Sequence, residues 1–250
     1  MKMLNKLFCI VCFLFLTFSA QIYSKELISL YTYLNKPPFI VDKENESGLS
    51  YDLVRSLNQF STNYTYQLVY IPKQRSINFL IDPGVLLWVN PLWVKDKEKI
   101  KYAWIEDLIK DKELYITNDP SLRYKNPTSL FGKTLVGVRG YTYINLENLV
   151  KKHKINRVDV TKELLVPQML IKNRADIGVI GMQTYSYIQK EFPKITEKLF
   201  ILENYEMEFT RSILISKANI GIKDDINIWL ASVQGKAQWL AMKQKWLHPW

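Results

Sequence analysis

Short apolar runs alternate with helical faces, twice in succession, and this order limits the possible fold more than any other feature of the chain. Runs rich in β-forming residues predict three strands at 27–33, 64–71 and 84–89. Apolar residues recur at helical spacing over 48–60, and a second, short helix is predicted at 74–81. Strands separated by helices pair in parallel through right-handed crossovers, so a βαβαβ unit is expected.

A second unit of the same order follows a charged and aromatic linking stretch. Its predicted elements are strands at 134–138, 157–160 and 176–180, and helices at 143–153 and 163–173, the latter kinked or restarted by Pro167. The remaining predictions are an extended connector at 114–117, a returning strand at 209–216 and closing helices at 225–233 and 236–247. Two such units predict two α/β lobes, although no internal repeat relates them.

The first 24 residues are expected to be a cleaved secretory signal. Lys2 and Lys6 precede an apolar segment at 7–16 that is too short to span a bilayer. Cleavage is expected after Ser24, with Ala20 as the second choice. Both cysteines fall inside the signal, so we expect a periplasmic mature chain without a disulfide.

The chain carries a net charge of +10. The signal holds two of the 34 basic residues and none of the 24 acidic ones, which leaves +8 on the remainder. This excess favours anionic ligands or surfaces, but the lysines are spread out, and a solvated lysine-rich surface is the preferred interpretation. Nucleic acid is not expected as a partner of an exported protein.

Candidate catalytic groups are scarce. Outside the signal, the histidines are His153 and His248, and no cysteine remains for a zinc site of the usual type. The sequence has no G-x-S-x-G, Walker or G-x-G-x-x-G motif. These observations favour binding over catalysis, with no cofactor and no metal.

The turn after the strand at 134–138 is a candidate seat for an anionic group. Thr142 is predicted to cap the following helix, whose first N–H groups and positive dipole end would point at one spot. Arg139 adds a bidentate donor there. The alternative is an ordinary strand–helix junction with a solvated arginine.

Ligands of parallel α/β sheets bind beyond the carboxyl ends of the strands. In the first unit these ends place Tyr33, Trp88 and Asn90 at the site, and in the second they place 139–142 and Gln183 there. Trp88 and the nearby Trp93 could stack on a ligand, with core packing as the alternative for each. Facing lobes would bring these groups into one cleft.

Several motifs, in this order, resemble the periplasmic solute-binding proteins of the polar amino acid type (family 3), which feed ABC importers. They are Pro37-Pro38-Phe39, Gly48 with Tyr51-Asp52-Leu53, the strand at 132–138, Asn173-Arg174-Ala175-Asp176 and Lys245-Trp246-Leu247. The resemblance implies an α/β, two-lobed periplasmic binding protein fold of type II, in which two crossing strands join mainly parallel sheets flanked by helices. It also implies a first lobe at 25–112 and 210–250 and a second lobe at 113–209.

The chain departs from this family at the charges expected to hold an α-amino acid. No arginine occurs in 89–96, where many members supply one for the carboxylate. Gly181 and Tyr33 stand where members carry acids. The run at 72–75 resembles a less characterised branch, in which Arg75 becomes a candidate. A buried zwitterion without charge partners would be costly.

We therefore predict a monomeric, non-enzymatic binding protein that captures a small polar or anionic solute for an ABC importer permease. The alternatives are a periplasmic subunit that signals to a membrane receptor, and a dehydratase-type enzyme on the same fold. The predicted ligand-binding residues are Tyr33, Phe39, Arg75, Trp88, Asn90, Trp93, Arg139, Gly140, Tyr141, Thr142 and Gln183.

Overall fold

The computed structural model describes residues 24–76, 84–203 and 207–248. Their strands are β1 (Glu26–Thr32), β2 (Tyr64–Tyr70), β3 (Val85–Val89), β4 (Ala103–Thr117), β5 (Thr134–Val138), β6 (Asn156–Val160), β7 (Ile177–Gly181), β8 (Phe200–Ile201) and β9 (Met207–Ile215). Their α-helices are α1 (Leu49–Phe60), α2 (Lys73–Ser76), α3 (Glu147–Lys151), α4 (Val166–Ile171), α5 (Met182–Glu191), α6 (Pro193–Thr196), α7 (Ile220–Ala231) and α8 (Val233–Trp246). The predicted signal at 1–24 lies almost wholly outside the described residues.

The strands form two parallel groups joined by a long antiparallel pair. The sheet order is β2-β1-β3-β9-β4-β7-β5-β6, and β8 pairs with β4. Strands β2, β1 and β3 are parallel, as are β7, β5 and β6. The two predicted βαβαβ units are therefore present, and hydrogen bonding runs continuously from one to the other through β4 and β9.

Strands β4 and β9 cross from one half of the molecule to the other. Residues 103–105 pair with 213–215, and 109–113 pair with 207–211, with a shift of register between Ile105 and Ile109. The returning strand agrees with the prediction. The prediction of a linking stretch before residue 114 is wrong. This stretch forms most of β4, a strand of 15 residues.

Separate cores lie on the two sides of this pair. One packs β1, β3, α1, α7 and α8 around the first ends of the crossing strands. Two smaller clusters pack the second parallel group and α4 and α5. Each half thus buries its own apolar side chains, which leaves the junction between them for polar groups.

Three predicted helices differ in the structure. The helix expected at 143–153 begins only at Glu147, because Tyr143 turns into the core and its hydroxyl accepts the N–H of Val138 at 2.9 Å. Thr142 is therefore not a helix cap, and the predicted seat at the helix start is wrong. The helix at 163–173 is a 3-10 turn that restarts as α4, with Pro167 in its first turn. Helix α7 begins at Ile220, before the predicted start.

Helices α5 and α6 and strand β8 were not predicted. Helix α2 ends at Ser76, and the rest of the helix predicted at 74–81 lies outside the described residues. Val233, expected on an apolar face, is exposed at the start of α8. Among the helices of the described ranges, none has the length and apolar character needed to cross a membrane.

Candidate functional site

A cavity lies where the crossing strands pass between the two halves. Its volume is about 40 Å³, which is room for about three water molecules. Aromatic and ionisable side chains dominate its walls, which are formed by Tyr33, Leu34, Lys36, Lys73, Trp93, Glu113, Tyr141, Thr142, Tyr143, Glu163, Val179, Ile180, Gly181, Phe209 and Arg211. A larger solute enters this space only if the lobes part or side chains move.

A buried ion pair joins the two crossing strands beside the cavity. Arg211 on β9 donates from Nε to Asp111 Oδ2 at 2.8 Å, and its second terminal nitrogen lies 2.6 Å from the same oxygen. The other terminal nitrogen donates to the carbonyl of Trp88 at 3.2 Å. Burial opposes the charge of Arg211, but Asp111 outweighs it, so the pKa of the guanidinium is raised.

Aromatic rings surround the same guanidinium. Its central carbon lies 5.0 Å from the ring centres of Phe39 and Phe209, and 5.3 Å from that of Trp93. Cation–π contacts of this kind stabilise a desolvated arginine and hold its plane in place. Arg211 is therefore a fixed positive charge at the cavity wall.

A second buried ion pair connects the two halves directly. Lys36 follows β1 and Glu163 precedes α4, and Lys36 Nζ lies 2.6 Å from Glu163 Oε2. Glu163 Oε1 also accepts the N–H of Gly181 at 2.8 Å. Nearby, Thr184 Oγ1 donates to the carbonyl of Pro37 at 2.8 Å. These contacts join the two halves beside the cavity.

Glu113 and Lys73 also line the cavity, and among the described residues neither forms an ion pair. Burial, with the negative charge of Glu163, raises the pKa of Glu113 to about 7. Burial lowers the pKa of Lys73 to about 8, although Glu113 opposes this shift. Lys73 Nζ lies 4.4 Å from the ring centre of Tyr141. The cavity thus has three cationic and two carboxylate side chains in its wall, and Asp111 just behind Arg211.

The structure brings some of the predicted ligand residues to this cavity. Tyr33, Trp93, Tyr141 and Thr142 line it, and Phe39 lies fully buried behind Arg211. The rings of Tyr33 and Tyr141 meet edge to face across the two halves, with centres 6.3 Å apart. The strand-end rule therefore identified aromatic side chains that line the cavity.

Other predicted residues have structural positions. Trp88 is fully buried in the first core, donates to Ser50 Oγ at 2.8 Å and stacks on Trp239, so its interpretation as a ligand wall is corrected. Asn90 caps the 3-10 turn Pro91–Val94 and donates to the carbonyl of Thr210 at 2.9 Å.

Four more predicted residues lie away from the cavity wall. Gln183 is buried behind it, where its side chain donates to the carbonyl of Lys110 at 3.1 Å. Arg75, Arg139 and Gly140 are exposed and are not part of the wall. The predicted role of Arg139 as an anion donor depended on the helix start that the structure does not form.

The sequence interpretation missed the charged residues that matter most here. Arg211, Glu113 and Glu163 were not candidates. Arg211 is the single charge within an apolar stretch of the returning strand, which is the signal that could have identified it. Asp111 and Glu113 lie two residues apart and so share one face of β4, but the sequence pattern of this stretch does not predict a strand and therefore does not reveal the shared face.

Charge partners that the family resemblance led us to expect come from other positions. Arg211 supplies a guanidinium that 89–96 lacks. A Cβ on Gly181 would lie 3.5 Å from Glu163 Oε1 and 3.5 Å from Asp111 Oδ2, so two carboxylates lie beside the position where the family resemblance implies an acid. Charged groups of both signs therefore lie at the cavity, although not at the positions that the family resemblance implies.

Comparisons with solved structures find the same fold. An ancestral arginine-binding protein bound to arginine aligns with a TM-score of 0.70 and 16% identity, over 90% of this chain and 99% of that one. A putative binding component of an ABC transporter from Wolinella succinogenes, complexed with lysine, aligns with a TM-score of 0.69 and 14% identity, over 90% of this chain and 97% of that one. An ancestral amino acid-binding protein, described as a precursor of cyclohexadienyl dehydratase, aligns with a TM-score of 0.67 and 16% identity, over 89% of this chain and 96% of that one.

No protein-family model matches the sequence, and no curated protein sequence matches it either. At the identities of the solved structures, the likeness establishes the fold. The chain has the two-lobed α/β fold of type II periplasmic binding proteins, as the sequence predicted.

Proposed function

We propose that this protein is an extracytoplasmic solute-binding protein that captures a small polar solute between its lobes and delivers it to an ABC importer. The observation that supports this most is the buried, charge-lined cavity at the junction of the halves. Its walls combine aromatic rings with a few oriented charges, the usual composition of a small-molecule site. The solved structures of the same fold named above are binding proteins by description.

The walls of the cavity come from both halves, which connects binding to closure. Tyr33 and Trp93 belong to the first half, and Tyr141 and Thr142 to the second. A solute that touches all four binds the closed form better than the open form, and only such a difference in affinity shifts the balance between them. Closure around the solute would then present one shape to a membrane permease.

The proposal includes export through the 24-residue signal, a periplasmic location and a monomeric state. The lobe boundaries 25–112, 113–209 and 210–250 are part of it, and the separate cores on either side of β4 and β9 support them. A permease partner is proposed because the fold is shared with a putative transporter component.

A thermal-shift screen of the chain from residue 25, against amino acids, polyamines, small organic acids and aromatic metabolites, tests the proposal. A solute that binds the folded state raises the unfolding temperature by mass action. For any hit, we expect Trp93→Ala to weaken affinity at least tenfold by calorimetry, because it removes a wall of the cavity and a ring beside Arg211. The matched control is Phe131→Ala, an exposed ring that does not line the cavity, which should leave affinity unchanged. A screen without a hit, or equal affinities of both variants and the wild type, would contradict the proposal.

A dehydratase-type enzyme is the second candidate, favoured by one observation. Such an enzyme needs a general acid in the cleft, and Glu113, with a pKa of about 7, has the acidity required. Incubation with cyclic dienyl acids, followed by product analysis, distinguishes the two candidates. We expect no turnover, and conversion that disappears in Glu113→Gln would favour the enzyme.

A further inference from the structure

One carboxylate oxygen in the cavity wall has no partner. Glu113 Oε2 is shielded from solvent and forms no hydrogen bond among the described residues. The neighbouring carboxylates are satisfied, since Arg211 binds Asp111 and Lys36 binds Glu163. A shielded carboxylate oxygen without a donor is unfavourable, and a donor from outside the chain would remove this cost.

The cations around Glu113 do not supply that donor. Lys36, Arg211 and Lys73 favour its ionised form through space. Within the described ranges, however, no ion pair of 4.0 Å or less joins any of them to Glu113, and two of the three already bind another carboxylate. The third, Lys73, also has no carboxylate within that distance among described residues, and its Nζ lies above the ring of Tyr141.

The cavity therefore contains one acceptor and one cation that the protein leaves for a ligand. We propose, on the basis of the solute-binding function above, that Glu113 receives the ammonium group of the bound solute, while Lys73 receives an acceptor group of the same molecule. The solute is then an amine-bearing one. Glu113 stands on the crossing strand β4, opposite Gly181 of β7, so the ammonium of the solute would be held where β4 enters the second lobe.

The ionisable groups that face Glu113 determine how this contact depends on pH. They are Glu163 before α4, Lys36 after β1, Lys73 on α2, Arg211 on β9 and Tyr143 after β5. Glu113 is half protonated near pH 7 in the free protein, and an ammonium binds its ionised form. Binding must therefore release a proton below pH 7. Affinity should rise about tenfold per pH unit from 5.5 towards 7 and then level off.

Matched pairs of probes test the amine requirement. L-Alanine and propionate differ by the amine, as do L-phenylalanine and 3-phenylpropionate, and putrescine offers amines without a carboxylate. Calorimetry at pH 5.5, 6.5 and 7.5 gives the affinity. Repetition in phosphate and in a second buffer of larger ionisation enthalpy gives the protons released. We expect at least one amine-bearing probe to bind. The affinity of a bound amino acid should exceed that of its amine-free counterpart at least tenfold, and its binding at pH 6.5 should release protons.

The variant Glu113→Gln removes the acceptor charge at nearly constant size. We expect it to weaken binding of the amine probe at least tenfold at pH 7.5 and to abolish the pH dependence. The unfolding temperature of the ligand-free variant should equal or exceed that of the wild type, because an uncompensated carboxylate has been removed. The control Glu208→Gln makes the same change at an exposed position of β9, and should alter neither quantity.

Three results would overturn the inference. They are an amine-free acid that binds as tightly as its amine partner, an affinity that does not change between pH 5.5 and 7.5, and failure of every amine probe to bind. If the wider screen then finds a solute without an amine, the proposed function stands and the role of Glu113 alone fails. If no solute of any class binds, the proposed function itself fails.

Discussion

The two buried ion pairs of the cavity differ in what they connect. Arg211 and Asp111 lie on neighbouring strands of one sheet, so their distance is fixed whatever the lobes do. Lys36 and Glu163 lie on different lobes, so their contact exists only when the lobes are together. We call Arg211 and Asp111 the scaffold pair, and Lys36 and Glu163 the closure pair. The same substitution chemistry should therefore have different effects at the two places.

The largest effect is expected at the scaffold pair. Arg211→Met leaves Asp111 buried without its cation in every arrangement of the lobes, and should lower the free energy of unfolding by about 3–5 kcal/mol. Urea denaturation at pH 7 measures this loss. Arg174→Met, at an exposed position, is the matched control and should change stability by less than about 0.5 kcal/mol. A loss below about 1 kcal/mol in Arg211→Met would show that the two pairs are not different in kind.

A smaller loss of stability is expected at the closure pair. Glu163→Gln leaves Lys36 unpaired only while the lobes are together, and opening allows its ammonium to hydrate. The expected cost is therefore about 1 kcal/mol, accompanied by a larger radius of gyration of the ligand-free protein in small-angle X-ray scattering. Glu147→Gln, which removes a surface ion pair with Lys151, is the control and should change neither quantity. The distinction between the two pairs is wrong if Glu163→Gln lowers the free energy of unfolding as much as Arg211→Met and leaves the radius of gyration unchanged.

The smallest effect is expected at Gly181, between the two pairs. A Cβ there would lie 3.3 Å from Lys36 Nζ, the flexible end of a side chain, and the backbone φ of −71° suits alanine. Gly181→Ala should therefore cost less than about 1 kcal/mol. Gly178→Ala, three residues earlier on β7, places its Cβ 2.5 Å from a methyl of Val166 and should cost about 1–3 kcal/mol. Thermal unfolding ranks the two variants, and the reverse order would show that the space beside Gly181 is less adaptable than the geometry indicates.

The sequence predicted the parts of this fold that depend on local pattern. Two runs of strand, helix and strand sufficed to predict parallel pairing, because the crossover rule leaves few alternatives. The rule that ligands lie beyond strand ends then placed Tyr33, Tyr141 and Thr142 at the cavity wall. These inferences need only the order of the elements.

The charges of the site could not be predicted in the same way. Arg211 meets Asp111 through pairing between strands that are 100 residues apart in sequence, and no local pattern encodes that pairing. Glu163 reaches the cavity because its helix restarts at Val166, and Thr142 lost its capping role because Tyr143 packs inward. In each case long-range packing decided the outcome.

The register shift between Ile105 and Ile109 has a consequence for the sign of the electric field inside the cavity. Side chains of a strand alternate between its two faces, so Asp111 and Glu113 point one way, while Lys110 and Lys112 point the other. Loss of one residue within the shift, with the pairing before it retained, would move each later residue back by one position, so that Lys112 would replace Asp111 and Leu114 would replace Glu113. The number of residues in this irregular stretch, rather than the identity of any one of them, therefore sets whether a visiting solute meets two carboxylates on β4.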